Sequence, residues 1–361
     1  MQTKIKLFDP HIDFSEEKAL VNTLKSHFWA SGAGIGNVQK FEKLFQKFVG
    51  SKSCIAVNSG TAALNLAISL LDVKNKEVIL PSLTFVSTAN AVILNGGKPV
   101  FVDVDPNTMC IDPEQIKKSI TSKTKVILPV HFAGMPCNMK EILKICKNYN
   151  LNLIEDAAHA AGSKFEKKRI GGHGMAVCFS FHPVKNLAMP TGGLISLNHS
   201  NYKKMREILL SRRWCGITNR KGTMYDVKEI GNNYYMNEFS AAIGITQLKK
   251  LDKMNSFRRK IAKIYDNDIV VDKKIPFNKD CSYHIYWIIV KNRNKFIKKM
   301  SSSGIEVGIH YKPIHTMSLY RTKYDLPITK KAGQTIVSLP IHANLKEHDM
   351  DRIIQSVNKF V

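Results

Sequence analysis

Most of the chain repeats one pattern, in which a short run of apolar, β-favouring residues gives way to a stretch with helical patterning. IAVNSG (55–60) leads into TAALNLAISLL, and EVILPS (77–82) leads into FVSTANAVIL. PVFVDV (99–104), KVILPVHF (125–132), a helical KEILKICKNY and LNLIEDAA (151–158) follow. Runs that are apolar throughout must be covered on both faces, and strands separated by helices pair in parallel. The pattern therefore predicts an α/β fold with a mostly parallel sheet flanked by helices. VCFSF (177–181) and GGLISL (192–197) extend that sheet. Ligands gather beyond the carboxyl ends of strands in such sheets, so the residues that close these runs are the first candidates for a site.

Beyond a long basic helical region (about 237–265) the character changes. SYHIYWIIV (282–290) and EVGIHY (306–311) read as strands, with a helix near 292–303 between them and a last helix from Glu347. This is the pattern of a smaller C-terminal α+β domain. The division is placed at residue 250, giving a large unit over 1–250 and a small one over 251–361.

Composition narrows the functional classes. No apolar run approaches the roughly 20 residues needed to span a bilayer. The opening MQTKIKLFDPHIDFSEE is broken by acids and a proline before any signal-peptide core can form, so a cytoplasmic location is expected and no membrane partner. The 7 cysteines are scattered without a C-x-x-C pair, which suggests neither a disulfide framework nor a metal site. A net charge of +25 is compatible with nucleic-acid binding. The basic residues are spread along the chain, however. KKSITSKTK (117–125), KKLDKMNSFRRKIAK (249–263) and KNRNKFIKK (291–299) interleave them with apolar positions, as solvated helix faces do. The charge is read as solvated surface that also attracts an anionic substrate, with no nucleic-acid partner.

Three segments carry chemistry. Ser59-Gly60-Thr61 turns from strand into helix, where free N–H groups and the helix dipole can hold a phosphate, although the same turn is also a good helix N-cap. Asp156 in IEDAAHAAG (154–162) ends a buried apolar strand, where an acid needs a positive partner. A protonated pyridine nitrogen would be one, and a structural ion pair or helix cap would be another. Lys185 in FSFHPVKN (179–186) follows a strand and a short turn, where it is either a nucleophilic amine near the other two or one more solvated lysine.

Taken in order, these segments resemble the DegT-type sugar-nucleotide aminotransferases, a branch of the fold-type I, aspartate-aminotransferase-like enzymes that use pyridoxal 5'-phosphate. The resemblance runs from FWASGAGIGNVQKFE at Phe28 through VNSGTAALNLA, PSLTFVSTANAV, IEDAAHAAG, FSFHPVKN and GNNYYMNEFSAAIG (231–244) to GIHYKPIH (308–315). It implies that Lys185 is the Schiff-base lysine and proton shuttle, and that Asp156 pairs with the pyridine nitrogen. His159 would stand near the cofactor's phenolic oxygen, and Phe85 would stack on its ring. Gly60, Thr61 and Ser180 would cradle its phosphate. Asn233 would reach the phosphate of the neighbouring subunit's cofactor, which requires a homodimer with shared active sites. His310 and Tyr311 would form part of the sugar site.

The implied reaction moves an amino group from an amino acid, glutamate by analogy, to a nucleotide-linked keto-sugar by way of pyridoxamine phosphate. A 4-keto-6-deoxyhexose is the preferred substrate, and the product would enter surface-polysaccharide or glycan synthesis. Two segments depart from the family. Where it commonly reads Thr-Thr-Gly-Glu-Gly-Gly, this chain has Leu187-Ala188-Met189-Pro190-Thr191-Gly192-Gly193, and Asn-Tyr-Arg-Met is Asn233-Tyr234-Tyr235-Met236. Both suggest a sub-branch with its own substrate preference. One alternative is a keto-deoxysugar 3-dehydratase, in which a histidine replaces the lysine. The other is a non-catalytic regulatory or nucleic-acid-binding relative, supported only by the charge.

Overall fold

Strands Ser53–Val57 (β1), Glu77–Pro81 (β2) and Ala176–Ser180 (β8) bury almost every residue, as expected of strands covered on both faces. The structure is a computed structural model that describes residues 4–321 and 324–361. With Lys98–Val102 (β3), Thr124–Ile127 (β4), Asn152–Asp156 (β5) and Gly193–Leu197 (β9) these strands form a seven-stranded sheet of order β1-β9-β8-β5-β4-β2-β3. Strand β9 runs antiparallel to both of its neighbours, and the other pairings are parallel. The amino end of β9 therefore meets the carboxyl ends of β1 and β8. Gly193 is required there, because a Cβ would collide with the carbonyl oxygen of Ser59.

Helices Phe14–Lys25 (α1), Asn37–Val49 (α2), Gly60–Ser69 (α3), Ser87–Leu94 (α4), Pro113–Ser119 (α5), Met139–Asn148 (α6) and Tyr202–Arg213 (α7) accompany these strands. Two hairpins project from this part of the chain. One is Lys164–Phe165 (β6) with Lys168–Arg169 (β7), and the other is Ile217–Lys221 (β10) with Met224–Val227 (β11).

Glu238–Asp268 (α8) is one continuous helix capped by the Asn237 side chain on the Ser240 N–H. Residue 250 lies inside it. Its apolar stripe runs from Leu248 and Leu251 through Ile261 to Tyr265, while Lys249, Lys253 and Lys260 face solvent. This is the solvated basic face read from the sequence.

The C-terminal sheet is Lys273–Lys274 (β12), Tyr286–Ile289 (β13) and Ile336–Leu339 (β14), in that order, accompanied by helices Arg293–Ser302 (α9), Pro327–Thr335 (α10) and Glu347–Phe360 (α11). One apolar cluster runs from Ile79, Ile127 and Leu153 of the large sheet to Tyr286, Ile288 and Val337 of the small one.

Two expectations fail in this region. The strand expected at 306–311 is replaced by an irregular segment whose sheet-like pairing is a single bridge, Gly308 with Ser338. The amino-terminal chain claims the rest of that segment. Ile5 bridges Ile305, the Glu306 carboxylate takes the Leu7 N–H at 3.1 Å, and Leu7 crowds Gly308. The strand expected at 282–290 shortens to Tyr286–Ile289. Its first residues instead hydrogen-bond to the 3-10 turn Phe132–Gly134, with Ser282 N on Gly134 O and His284 N on Ala133 O.

The cysteines are all unpaired and all but Cys215 are buried, Cys178 within β8 among them. Among the described residues, no helix is long and apolar enough to cross a membrane.

Candidate active site

The carboxyl ends of β1, β2, β5 and β8 surround a cavity of about 340 Å³. Every site residue proposed from the sequence lines it except Asn233. The Ser59-Gly60-Thr61 turn forms one wall. Ser59 Oγ caps α3 by accepting the Ala62 N–H at 3.1 Å, so its hydroxyl oxygen plays the capping role. The N–H groups of Gly60 and Thr61 fall in the first helical turn, where no intrahelical acceptor exists, and they are left for an anion. Gly60 packs so closely on Ser180 that an added Cβ would stand 2.7 Å from the serine Cβ. Thr61 Oγ1 meets Ser87 Oγ at 2.7 Å.

Asp156 closes β5 and is buried. Thr88 donates to its Oδ2 at 2.8 Å, and the Ala158 N–H reaches Oδ1 at 3.1 Å. Burial raises its pKa, and these two hydrogen bonds and the Lys185 charge act against that rise. Strand alternation turns the preceding Glu155 to the opposite face, where it pairs with buried His131 at 2.8 Å.

Lys185 enters from the turn after β8, which is closed by Lys185 N on His182 O. Asn186 anchors that turn through Asn255 Oδ1 and Ser282 O. Burial depresses the Lys185 amine to about 8, with Asp156 pulling the other way. Its Nζ lies 3.4 Å from His284 Nε2.

His159 Nδ1 accepts the Ala133 N–H at 3.2 Å, which puts the ring proton on Nε2, 2.9 Å from Tyr311 Oη. Burial keeps this imidazole uncharged. Phe85 is 57% exposed, its ring turned toward Tyr311 with centroids 6.0 Å apart. His310 is held by Ser338 Oγ at 2.8 Å, and the following residues are tied to the end of β2 by Ile314 N on Ser82 O.

Asn233 stands apart. Its backbone carbonyl accepts from Asn58 Nδ2 at 3.2 Å, and its side chain faces solvent. The departing loop is resolved locally: Leu187 and Met189 are buried beside Phe181, and Thr191 lines the cavity and binds the Asn58 carbonyl. Sequence reasoning missed Thr88 and His284. Thr88 carried a weak signal, because Thr84 and Thr88 are one helical turn apart. His284 carried none, since SYHIYW reads as plain strand.

The sequence profile of the DegT/DnrJ/EryC1/StrS aminotransferase family matches residues 10–358. The chain belongs to this family. Among its relatives, the spore coat polysaccharide biosynthesis protein SpsC of Bacillus subtilis is 34% identical, covering 98% of this chain and 96% of its own. The solved structure of Helicobacter pylori PseC, an aminotransferase involved in the biosynthesis of pseudoaminic acid, superposes with a TM-score of 0.93 at 29% identity, covering 99% of each chain. The PLP-form of the putative sugar aminotransferase Spr1654 from Streptococcus pneumoniae gives 0.92 at 25% identity, covering 99% of this chain and 98% of that one.

The chain is accordingly a fold-type I, pyridoxal-phosphate-dependent aminotransferase, and the cavity fits that cofactor. A buried acid with raised pKa suits a cationic ring nitrogen, a buried amine with its pKa depressed to about 8 suits an aldehyde, and free helix N–H groups suit a phosphate.

Proposed function

We propose that the protein transfers an amino group from glutamate to a nucleotide-linked keto-sugar, preferentially a 4-keto-6-deoxyhexose, for surface-polysaccharide or glycan synthesis. The observation that carries this reading is the meeting of Lys185, Asp156 and the Gly60-Thr61 turn on one cavity that His310 and Tyr311 also line. The names of SpsC and PseC support the sugar class.

Bound pyridoxal phosphate supplies the carbonyl that takes up the amino group and the ring that draws electrons from the adjoining carbon. The chain's own groups divide the remaining work. The N–H groups of Gly60 and Thr61, with Ser180, bind the phosphate. Asp156, oriented by Thr88, balances positive charge on the ring nitrogen. Phe85 covers one ring face and excludes water from it. His159 gives its Nε2–H to the Tyr311 hydroxyl, which holds that hydroxyl at the cavity wall with its own proton free to donate. Lys185 Nζ, uncharged above about pH 8, accepts the proton from the carbon that gives up the amino group and delivers it to the carbon that takes the group over. The nucleotide's phosphates suit a strongly basic surface.

Asn233 serves the cavity of a second copy, so the working form is a homodimer. Its exposed side chain and the exposed apolar residues just before it, Val227 and the 93% exposed Ile230, support that arrangement.

The test is the visible spectrum of protein mixed with pyridoxal phosphate. Wild type should gain the band of covalently bound cofactor, lose it on adding glutamate, and regain it with a nucleotide-linked 4-keto-6-deoxyhexose. Lys185→Ala should never show the band. A wild type without the band would sink the reading, and a band indifferent to every nucleotide keto-sugar would sink the substrate class.

A further inference from the structure

The free amine of Lys185 has one hydrogen-bonding side-chain partner among the described residues, and it is His284, at 3.4 Å through Nε2. This imidazole is fixed on every side. Its backbone N–H is tied to Ala133 O at 2.9 Å. Its ring stacks on Phe8 at 5.3 Å between centroids and lies 4.5 Å from the ring of His159. Its Nδ1 is buried without a partner. Nε2 is therefore the ring's only polar outlet.

Two arrangements fit this geometry. If Lys185 donated, whether as an ammonium or as an amine, Nε2 would accept and the ring proton would sit on Nδ1, leaving a buried N–H with no acceptor. If Nε2–H donates to the lone pair of an uncharged amine, Nδ1 is only a bare acceptor. Orphaned buried donors are the rarer case, so the second arrangement is preferred. The surroundings agree. The groups facing the ring are Lys185, His159, His310 and Arg258, all basic, and burial holds the imidazole itself uncharged. Asp156, at the end of β5, is the acid that faces Lys185, and His182 faces it from its own turn.

We propose that His284 is a positioning residue for Lys185, donating Nε2–H to the uncharged amine and holding Nζ in place whenever that amine is free and unprotonated. The Nζ lone pair can take either this hydrogen or the proton from the reacting carbon, not both. Proton uptake therefore breaks the bond to His284, and delivering the proton restores it. A flexible lysine stem is thus kept from wandering before it takes up the proton and after it gives the proton away. This rests on the reading of Lys185 as the proton carrier.

The experiment uses cofactor-free full-length protein and needs no turnover. Carbamylation of Lys185 by cyanate is followed against pH by mass spectrometry of its peptide. In wild type the rate should inflect near pH 8, where burial sets the amine. Removing the donor in His284→Phe should move the inflection up by roughly one unit. His284→Asn, too short to reach Nζ, should reproduce that shift if the phenylalanine variant does not fold. His284→Gln, which keeps an N–H at similar reach, should stay near wild type. In the loaded enzyme, kcat should fall about tenfold in His284→Phe with KM for glutamate unchanged, and His284→Gln should recover most of it. An inflection that stays put or falls when the donor is removed overturns the proposal, as does a glutamine variant no better than phenylalanine. The aminotransferase reading fails separately, by the absence of the cofactor band in wild type.

Discussion

Thr88 Oγ1 stands 2.8 Å from Asp156 Oδ2, while the Ala158 N–H holds the other carboxylate oxygen at 3.1 Å. The acid proposed to balance the cofactor's ring nitrogen is thus oriented by a hydroxyl from the first turn of α4 and by its own following turn. A hydrogen bond to a charged group contributes about 1.5–3 kcal/mol. Thr88→Val keeps the shape and removes the bond. Pyridoxal phosphate should bind roughly tenfold more weakly to this variant, read by fluorescence titration, with the thermal midpoint little changed. Unchanged affinity would show that Asp156 needs no help from Thr88.

Gly60 and Ser180 touch at the proposed phosphate cradle. Alanine is a better helix former than glycine, so Gly60→Ala should leave α3 intact. Its Cβ would stand 2.7 Å from Ser180 Cβ and force the two walls of the cradle apart. Cofactor affinity, and affinity for inorganic phosphate as a competitor, should fall by about tenfold or more. An alanine variant that binds both as wild type does would place the phosphate elsewhere.

The hydroxyl of Tyr311 takes the ring N–H of His159 at 2.9 Å. Tyr311→Phe leaves that N–H without a partner, at a cost of about 1–3 kcal/mol. Urea unfolding should show the loss. Because the same hydroxyl faces the proposed sugar site, the half-reaction with the nucleotide keto-sugar should slow more than the half-reaction with glutamate. Equal slowing of both would remove Tyr311 from sugar recognition.

Stability should depend on pH through buried imidazoles. Burial pushes His159 and His284 well below the ordinary histidine value and brings His310 to about 4. Below about pH 6.5 the unfolded chain therefore binds protons that the folded chain refuses. Stability present above that pH is lost as pH falls toward 4, with His310 alone contributing about 3 kcal/mol. Lys185 acts in the same sense at higher pH: its folded value near 8 lies below the ordinary 10.5, so its contribution rises with pH between those limits. The urea midpoint of cofactor-free protein should drop between pH 7 and pH 5, and His310→Gln should flatten that drop. A midpoint that does not move over this range would contradict the buried, uncharged state of these rings.

Local residue pattern was enough to specify the sheet and the residues that close its strands. Asp156 and Ser180 close short runs built on buried apolar residues, and such runs leave little freedom about which residue falls at the edge. The turn at Gly60 is equally local, because a capping serine followed by small residues announces a helix start. What depended on distant partners was not legible there. EVGIHY has the alternation of a strand, yet the amino-terminal Ile5 and Leu7 occupy that segment, and β14 bridges it only at Gly308. SYHIYW reads as strand throughout, yet Ser282 and His284 turn aside to hydrogen-bond the Phe132–Gly134 turn, and this delivers His284 to Lys185. Residue 250 marks a change of composition, but α8 passes through it unbroken because its apolar stripe continues from one sheet to the other. Periodicity reports which face of a segment is buried. Only the assembled chain decides what that face is buried against, and the partner fixes a lysine's charge, a histidine's tautomer and the orientation of a carboxylate.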